Sequence, residues 1–357
     1  MRQTSQHPLC TCIIAALLGL AAQAAGAAAY AYAVTDLGTA GGPLSAATAL
    51  NDGGTVGGYS QTGGGRTHAV AWRGGAARDL GTLGGSHSGV AGVNTQGVMA
   101  GYAYASGDAA SHAVLWRGGA IVDLGTLGGA FSSANAINDG GQVAGMSHLA
   151  DGRMHAAYWS GGRKTDLGTL GGSASNALAI NSRGWAVGYS YVGGDTAAHA
   201  TLWNGRGAID LGTLGGTGSS AQAINDAGLI AGTSELKEDR QSRATLWRGR
   251  SATSLGALRP QDSSGAYGIN NAGVVVGYNL AQSARVSRAT MWANGCIHDL
   301  NDITDLGGTG LTLVQANAVN ERGQIAGFAL NGNAETRAVL LTPTGSQPQP
   351  ACRRPAP

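Results

Sequence analysis

Four histidines recur at near-constant spacing, and histidine can bind a metal ion or exchange protons. They are His68, His112, His155 and His199. Each precedes an aspartate, and these are Asp79, Asp123, Asp166 and Asp210. The equivalent positions later in the chain hold arginine, which cannot ligate a metal but can donate hydrogen bonds. We therefore expect these positions to build structural hydrogen-bond sets, and we expect no metal site and no cofactor.

Six tryptophans follow these His or Arg positions by four residues, and aromatic rings of this kind could stack on sugars. They are Trp72, Trp116, Trp159, Trp203, Trp247 and Trp292. A residue required in nearly every repeat is more typical of packing between repeats. We expect the indoles to pack and to complete the hydrogen-bond sets of the neighbouring His and Asp.

Other aromatic and charged side chains lie where the repeats differ from one another, and such positions usually carry binding. The tyrosines are Tyr59, Tyr102, Tyr104, Tyr189, Tyr191 and Tyr278. The charged residues are Asp151, Arg153, Asp195, Glu238 and Arg240. These eleven residues are the predicted ligand-binding set.

Catalysis would need paired carboxylates, or a nucleophile with its base, converging in one cleft. The loop carboxylates Asp108, Asp151, Asp195 and Asp262 are instead spread over several repeats. The sequence also has no phosphate-binding loop, zinc-type cysteine spacing or nucleophile elbow. We predict no catalytic residue, although a hydrolase or lyase that uses loop carboxylates stays open as an alternative.

These residues are positioned by a repeat. Asp-Leu-Gly-Thr-Leu-Gly-Gly occurs at 79–85, 123–129, 166–172 and 210–216, and weaker copies start at Asp36, Ser254 and Asp299. The period is about 44 residues, which is typical of a propeller blade. Four strand-like pieces without a helical period recur in each copy.

A tight hairpin joins the first two strands of each copy, because a repeated Asn is followed three residues later by a Gly. The asparagines are Asn51, Asn94, Asn138, Asn181, Asn225, Asn270 and Asn320. We predict an all-β, seven-bladed β-propeller over residues 30–343. The predicted blades cover about 47–82, 90–126, 134–169, 177–213, 221–257, 266–301, and 315–341 together with 32–38.

The phase of the repeat predicts how the ring closes. The chain opens with a lone Asp-Leu-Gly strand at 32–38, whereas the last copy lacks that strand. Pairing of the N-terminal strand into the last blade would remove both open edges.

The first 29 residues differ in kind from the repeats. A small-residue apolar run from Cys12 to Ala29 predicts a secretory signal peptide, with a retained membrane anchor as the alternative. The mature chain then keeps Cys296 and Cys352, which are a disulfide candidate. The alternative is two free thiols. Residues 344–357 form a Pro-rich tail.

Composition narrows the choice of partner. The chain has 62 Gly among 357 residues, only 12% charged residues and a formal net charge of +2. A near-neutral chain without Lys or Arg runs is not expected to bind nucleic acid. We expect a secreted or periplasmic monomer with no membrane span in the mature chain.

The repeated words Asp-Leu-Gly-Thr-Leu-Gly-Gly, Ala-Ile-Asn-Asp-x-Gly and His-Ala-x-Leu-Trp resemble the HAF family of extracellular bacterial repeat proteins. The resemblance covers Tyr32 to Leu341. The Phe of the family's His-Ala-Phe word is Val70, Val114, Ala157 or Thr201 here. The resemblance implies secretion and a β-rich repeat fold, and it brings no established activity.

The expected function is a non-catalytic binding scaffold whose ligand, a cell-surface glycan or protein, lies on the variable-loop face. Besides the enzyme alternative, a purely structural envelope component remains open.

Overall fold

The computed structural model describes residues 31–239, 241–283, 286–345 and 353–354. Within them the regular secondary structure is β-strand except for one short helix, α1 (Leu300–Ile303), and a 3-10 turn at Lys237–Asp239. No helix of the described part is long and apolar enough to cross a membrane. The predicted signal peptide at 1–29 lies outside the described residues, as do Arg240 and Cys352.

After the first strand, β1 (Tyr32–Asp36), a four-stranded antiparallel group repeats along the chain, and we call each group a unit. Units one to three comprise β2 (Gly41–Leu50), β3 (Val56–Thr62), β4 (Thr67–Arg73), β5 (Ala76–Asp79), β6 (Gly84–Val93), β7 (Met99–Ala105), β8 (Ser111–Arg117), β9 (Ala120–Asp123), β10 (Gly128–Ile137), β11 (Val143–Leu149), β12 (Met154–Ser160) and β13 (Arg163–Gly168).

Units four to six continue the same order. They comprise β14 (Gly171–Ile180), β15 (Ala186–Val192), β16 (Ala198–Trp203), β17 (Ala208–Asp210), β18 (Gly215–Ile224), β19 (Leu229–Leu236), β20 (Ser242–Arg248), β21 (Ser251–Gly256), β22 (Ser263–Ile269), β23 (Val275–Leu280), β24 (Arg288–Ala293) and β25 (Cys296–Asp299). The last strands are β26 (Thr304–Asp305), β27 (Thr312–Val319), β28 (Ile325–Leu330) and β29 (Thr336–Pro343).

The described strands form six sheets, of which four have four strands, one has five and one has eight. The eight-stranded sheet contains units two and three, which are joined by a single parallel bridge between Phe131 and Ser111. The five-stranded sheet has the order β26-β1-β29-β28-β27, and we call it unit seven.

The tight turns form as the repeated Asn and Gly predict. In the first of them, the Gly54 backbone N–H donates to the Asn51 carbonyl at 3.0 Å, and Gly54 has a φ of 77°. Because a side chain at this φ would clash with the backbone, glycine fits the position. The same bond and a positive φ recur at Gly97, Gly141, Gly184, Gly228, Gly273 and Gly323.

The repeated word Asp-Leu-Gly-Thr-Leu-Gly-Gly spans two units. The observed unit boundaries therefore differ from the predicted ones. In its first full copy, β5 ends at Asp79, and Gly84 already starts the inner strand of the next unit. The inner strand of unit one likewise begins at Gly41 rather than near residue 47. The word is therefore the crossing from the outer strand of one unit to the inner strand of the next.

Side-chain amides of the repeated asparagines link the units into a ring. Asn51 Nδ2 donates to the Asn94 carbonyl at 2.8 Å. Equivalent bonds run from Asn94 to Asn138, Asn138 to Asn181, Asn181 to Asn225, Asn225 to Asn270 and Asn270 to Asn320. The seventh bond, from Asn320 Nδ2 to the Asn51 carbonyl at 3.1 Å, returns to the first unit. The described units therefore form a closed circle.

Small residues and one indole fill each interface between units. Trp72 is 1% exposed and shares a buried cluster with Ala326 and Ala338 of unit seven. Trp159 and Trp203 likewise cluster with alanines of the preceding unit. Each large ring thus faces a neighbour that has almost no side chain there, which keeps the interface densely packed.

Buried serines also join consecutive units. Ser88 Oγ of unit two accepts the Ala69 backbone N–H of unit one at 2.8 Å and donates to the Gly81 carbonyl at 2.7 Å. The backbone bond recurs at Ser45, Ser132, Ser175, Ser219 and Ser264. These hydroxyls satisfy backbone N–H groups that would otherwise be buried without partners.

Strand β1 closes unit seven, as the phase of the repeat predicts. It pairs antiparallel with β29 from Tyr32 opposite Pro343 to Asp36 opposite Val339. The Asp36 carboxylate accepts from Arg337 Nε at 3.1 Å. The other edge of β1 is covered by the short parallel strand β26.

Replacing Gly188 with Ala should destabilise the protein by about 2 kcal/mol or more, because the new Cβ would lie 1.9 Å from the Asn176 carbonyl oxygen. Gly193→Ala is the matched control, since nothing lies within 4 Å of a Cβ there. Its unfolding free energy should stay within about 0.5 kcal/mol of the unsubstituted protein. Urea unfolding of both variants measures the difference, and equal stabilities would contradict this account of the glycine.

Replacing Asn51 with Ala should lower the free energy of unfolding by about 2 kcal/mol or more. The variant loses the bond to the Asn94 carbonyl and leaves the Thr55 backbone N–H without its acceptor. Asn333→Ala removes an exposed amide and should change stability by less than about 0.5 kcal/mol. If chemical denaturation gave the same midpoint for both variants, the asparagine ring would not stabilise the fold.

Candidate functional site

The repeated histidines form pairs with the repeated aspartates, at the edges of the units. His68 Nδ1 lies 2.7 Å from Asp79 Oδ2, and the other three pairs have separations of 2.8 to 2.9 Å. The Asp79 side chain is 43% exposed, so the pairs lie nearer the surface than the predicted buried sets. In the described part of the chain, no three His, Cys, Asp or Glu side chains are grouped so that they could hold a metal ion.

The indole nitrogens do not join these pairs, in contrast to the predicted three-residue sets. All six interface tryptophans have a buried Nε1 without a hydrogen-bond partner among the described residues. Arginine replaces histidine in the later units, where Arg288 pairs with Asp299 and Arg337 with Asp36. The tryptophans therefore act by packing, and the His or Arg pairs hold the outer strands.

The loop aspartates of the predicted ligand-binding set form hydrogen bonds within their own units. Asp195, with a φ of 55°, accepts the Ser173 backbone N–H at 2.7 Å. Asp151 Oδ2 accepts from Arg153 Nε at 2.8 Å, and both side chains are about half exposed. These residues shape the loops, and the structure does not bring Asp151 and Asp195 into one hydrogen-bonded group.

Asp108 holds the corresponding loop of unit two by hydrogen bonds. Its Oδ2 accepts the Ser86 hydroxyl at 2.6 Å and its Oδ1 accepts the Ser86 backbone N–H at 2.7 Å. These two hydrogen bonds lower the pKa of Asp108 from its ordinary value. The loop of unit two is thus tied to the start of its own inner strand.

Glu235, the first residue of the charged run and part of β19, lines a cavity of about 400 Å³ between units four and five. Glu235 accepts the Gly218 backbone N–H at 2.7 Å and the Thr217 hydroxyl at 3.1 Å there. Glu238 lies beyond it in the loop with a φ of 68°. Arg240, the remaining predicted ligand-binding residue of this loop, lies outside the described residues.

A second cavity, of about 260 Å³, lies on the ring axis toward the variable-loop face. We call it the axial mouth, and it is lined by Ala46, Thr48, Tyr59, Ala91, Leu178, Gln222, Tyr267, Gln315, Asn317 and Phe328. Residues from units one, two, four, five, six and seven contribute, so the cavity is enclosed by the ring as a whole.

Aromatic rings and amides dominate the axial mouth. Tyr267 packs on Tyr278 with ring centroids 5.6 Å apart. Gln315 Nε2 donates to Asn317 Oδ1 at 2.6 Å, and Asn317 Nδ2 donates to the Ala47 carbonyl at 2.7 Å. No Asp, Glu, Lys, Arg or His is among the residues that line it.

Several hydrogen-bonding groups in the axial mouth are unused. The hydroxyls of Tyr59 and Tyr267 and the side-chain carbonyls of Gln222 and Gln315 have no hydrogen-bond partner among the described residues. Burial raises the pKa of both Tyr59 and Tyr267, so the two phenols stay neutral donors. The mouth can therefore donate to and accept from a polar, uncharged ligand.

The predicted tyrosines are only partly brought together. Tyr59 lines the axial mouth, and Tyr278 lies behind Tyr267. Tyr102 contacts Tyr104 edge to face, with centroids 6.2 Å apart. Tyr189 and Tyr191, on β15, are partly buried and do not line the mouth.

The prediction missed the inner-strand residues of the mouth, among them Gln222 and Tyr267. They occupy the position three residues before the repeated Asn. Across the units this position holds Thr48, Ala91, Asn135, Leu178, Gln222, Tyr267 and Asn317. The residue type varies strongly at this one position of an otherwise regular strand. That variation was the signal in the sequence that could have identified these residues.

Cys296 is disulfide-bonded. Its predicted partner, Cys352, lies outside the described residues, so this pairing stays a prediction. The Ile297 backbone N–H donates to the Arg353 carbonyl at 2.9 Å, which places the residue after Cys352 against β25.

No protein-family model matches this sequence, and no curated protein is similar to it. The resemblance to HAF proteins therefore stays a prediction.

Solved structures do resemble the fold. A puromycin-hydrolyzing peptidase from Mycobacterium tuberculosis is 12% identical with a TM-score of 0.53, and the match covers 89% of this chain and 54% of the peptidase. TolB from Acinetobacter baumannii is 11% identical with a TM-score of 0.46, over 81% of this chain and 63% of TolB. The Aleuria aurantia lectin, described as a six-bladed β-propeller, is 13% identical with a TM-score of 0.38, over 89% of this chain and 97% of the lectin.

At such identities the similarity concerns the fold alone. The chain is an all-β protein of the β-propeller type. It spans less than two thirds of TolB and of the peptidase.

Replacing Asp108 with Asn should lower the melting temperature near neutral pH but not in acid. The folded-state pKa of Asp108 is lowered, so its contribution to stability is present above the unfolded pKa and is lost as pH falls through the folded pKa. Asn tolerates the φ of 57°, removes the charge and, as protonation does, replaces one of the two oxygens that accept from Ser86. Thermal unfolding of both proteins at about pH 7 and about pH 2.5 tests this. A difference that persisted in acid would contradict a role for the carboxylate charge.

Proposed function

We propose that this protein is a secreted or periplasmic seven-bladed β-propeller that acts as a non-catalytic binding scaffold, with its ligand in the axial mouth. Seven units and a closed circle of seven asparagine bonds support the blade count. The apolar run within residues 1–29 supports export. The proposal retains the HAF resemblance and one propeller domain over residues 30–343.

The proposal rests on the strand positions at which the units differ in residue type. Their Ala, Gly, Ser and Asn positions repeat because every interface needs them, whereas the position three before the Asn ranges from Ala91 to Tyr267. Six of the seven residues at that position line the axial mouth, and Asn135 does not. A regular frame that directs its variable residues into one cavity is the arrangement expected of a binding site.

The chemistry of the mouth favours a neutral ligand rich in hydroxyl groups, such as the end of a glycan. Phe328 and the rings of Tyr59 and Tyr267 offer faces on which a sugar can stack. The free phenols and amide carbonyls can hydrogen-bond hydroxyls in both directions. With no charged side chain in the lining, an ionic ligand would lose hydration without gaining a partner there.

Catalysis is not part of the proposal. The axial mouth has no lining carboxylate. Asp195 accepts from Ser173 on β14 of its own unit, and Asp151 accepts from Arg153 of its own loop. A nucleophile or a general acid and base would have to converge on bound substrate.

Replacing Tyr59 or Gln222 with Ala should weaken glycan binding about tenfold, because each removes a stacking face or a hydrogen-bond acceptor. Screening the mature protein on a glycan array identifies a ligand, and calorimetric titration of that ligand compares the variants. Tyr158→Ala is the matched control, since Tyr158 lies on β12 and does not line the mouth. Affinity should not change between about pH 6 and pH 9, because the phenols stay protonated.

Two results would overturn the proposal. Binding that survives both mouth substitutions but is lost with Tyr158→Ala would place the site elsewhere. Turnover of a glycan or ester substrate that is abolished by Asp151→Asn or Asp195→Asn would show an enzyme instead.

A further inference from the structure

Two larger cavities lie on the opposite face, between neighbouring units at the outer rim. Rim groove one, of about 490 Å³, lies between units one and two and is lined by Arg73, Arg78, Asp79 and Trp116 among others. Rim groove two, of about 660 Å³, lies between units two and three, with Arg117, Asp123, Trp159, Arg163 and Lys164 in its lining. Both volumes are in the range of small-ligand pockets, about 300 to 1,000 Å³.

The two grooves share a frame but differ in their cations. Arg73 and Arg117 occupy equivalent positions in successive units, as do Asp79 and Asp123. Arg163 and Lys164 of groove two correspond to Ala120 and Ile121 at groove one, which has Arg78 instead. The indole of the following unit, Trp116 or Trp159, borders the groove but is only 5% or 4% exposed. Gly-Gly turns such as Gly161 and Gly162, both at positive φ, leave the outer end open.

The carboxylates of the grooves are already used. Asp79 Oδ2 pairs with His68, and its Oδ1 accepts the Gly81 backbone N–H at 2.8 Å. Asp123 makes the equivalent two bonds, with His112 and with the Gly125 backbone N–H. These carboxylates are therefore held by their own strands, and they form no ion pair with the arginines or the lysine of the grooves.

The cations, in contrast, are free. Arg73, Arg78, Arg117, Arg163 and Lys164 are exposed and make no side-chain hydrogen bond or ion pair with any residue in the described ranges. Lys164 Nζ reaches across to Gly125 of the neighbouring unit, lying 2.8 Å from where a Cβ would stand there. Groove two thus presents three exposed cations, Arg117, Arg163 and Lys164.

We propose that the rim grooves bind the carboxylated sugar residues of an acidic polysaccharide, as a function separate from that of the axial mouth. The carboxylate of one sugar residue lies between the guanidinium of Arg163 and the ammonium of Lys164 in groove two. Since the neighbouring groove one presents Arg73 and Arg78, one chain can occupy both grooves and gain avidity.

The charge pattern of this face favours a thin flexible chain over a flat anionic surface. Asp52, Asp139, Asp226 and Glu321 surround the axis on the same face. Burial alone would raise the pKa of Asp226, but hydrogen bonds from Ser182 and Asn271 outweigh it and lower that pKa, so the group stays ionised. A membrane laid across the face would meet these charges, whereas a chain in the rim grooves avoids them.

The probe is an oligogalacturonate, with its fully methyl-esterified form as the uncharged ligand control. The double variant Arg163→Gln with Lys164→Gln should bind it about tenfold more weakly. The matched control removes two exposed cations of the variable-loop face, Arg66→Gln with Arg259→Gln, and should bind within about twofold of the unsubstituted protein. Thermal unfolding verifies that both double variants are folded.

Support requires three results together: binding of the acidic oligomer, loss of binding on esterification, and selective weakening by the groove variant. Binding of the esterified form with equal affinity, or equal loss in both double variants, would overturn the proposal. So would binding of anionic phosphatidylglycerol vesicles or duplex DNA in place of the oligogalacturonate. Since Tyr59→Ala leaves the rim untouched, failure of the axial-mouth proposal would be seen separately.

Discussion

The structure depends on one repeated constraint: each unit must satisfy backbone groups of its neighbour. The asparagine amides and the buried serines do this on the inner side, at positions that the chain cannot vary without leaving a buried carbonyl or N–H unpaired. A single copy has no partner for these groups, so stability belongs to the ring and not to any one unit. The last amide, from Asn320 to Asn51, makes the first and last units as well connected as any others.

The unusual composition follows from the same constraint. Inner and second strands approach so closely that Gly188 has a neighbouring carbonyl where a Cβ would stand, and the indoles fill what the small residues leave. The residue type can therefore vary mainly at two places, the ring axis and the outer rim. Residues such as Gln222 and Arg163 contribute little to the frame, which is why ligand binding can be assigned to them.

Much of the fold is predictable because its chemistry is local. The Asn and Gly of each turn specify a hairpin, and the phase of the repeat specifies that β1 completes the last unit. The unit boundary was not predictable in the same way, since Gly84 joins the next inner strand through pairing with Ala105, which is remote in sequence. Nor was the axial mouth, because Gln222 and Tyr267 meet only when six units surround one axis. The six predicted tyrosines lie on the second strands of their units but do not share one cavity, and a periodic pattern cannot distinguish these cases.

The pairing of β1 with β29 makes completion of the chain a condition of closure. Asp36 is among the first residues of the described part to be synthesised, yet its partner Arg337 lies 301 residues later. Before β29 is made, the ring cannot close, and the edge of β1 that pairs with β29 has no partner. A chain that ends before β29 therefore leaves that edge of β1 unpaired, whereas the finished ring pairs β1 with β29 on one side and with β26 on the other.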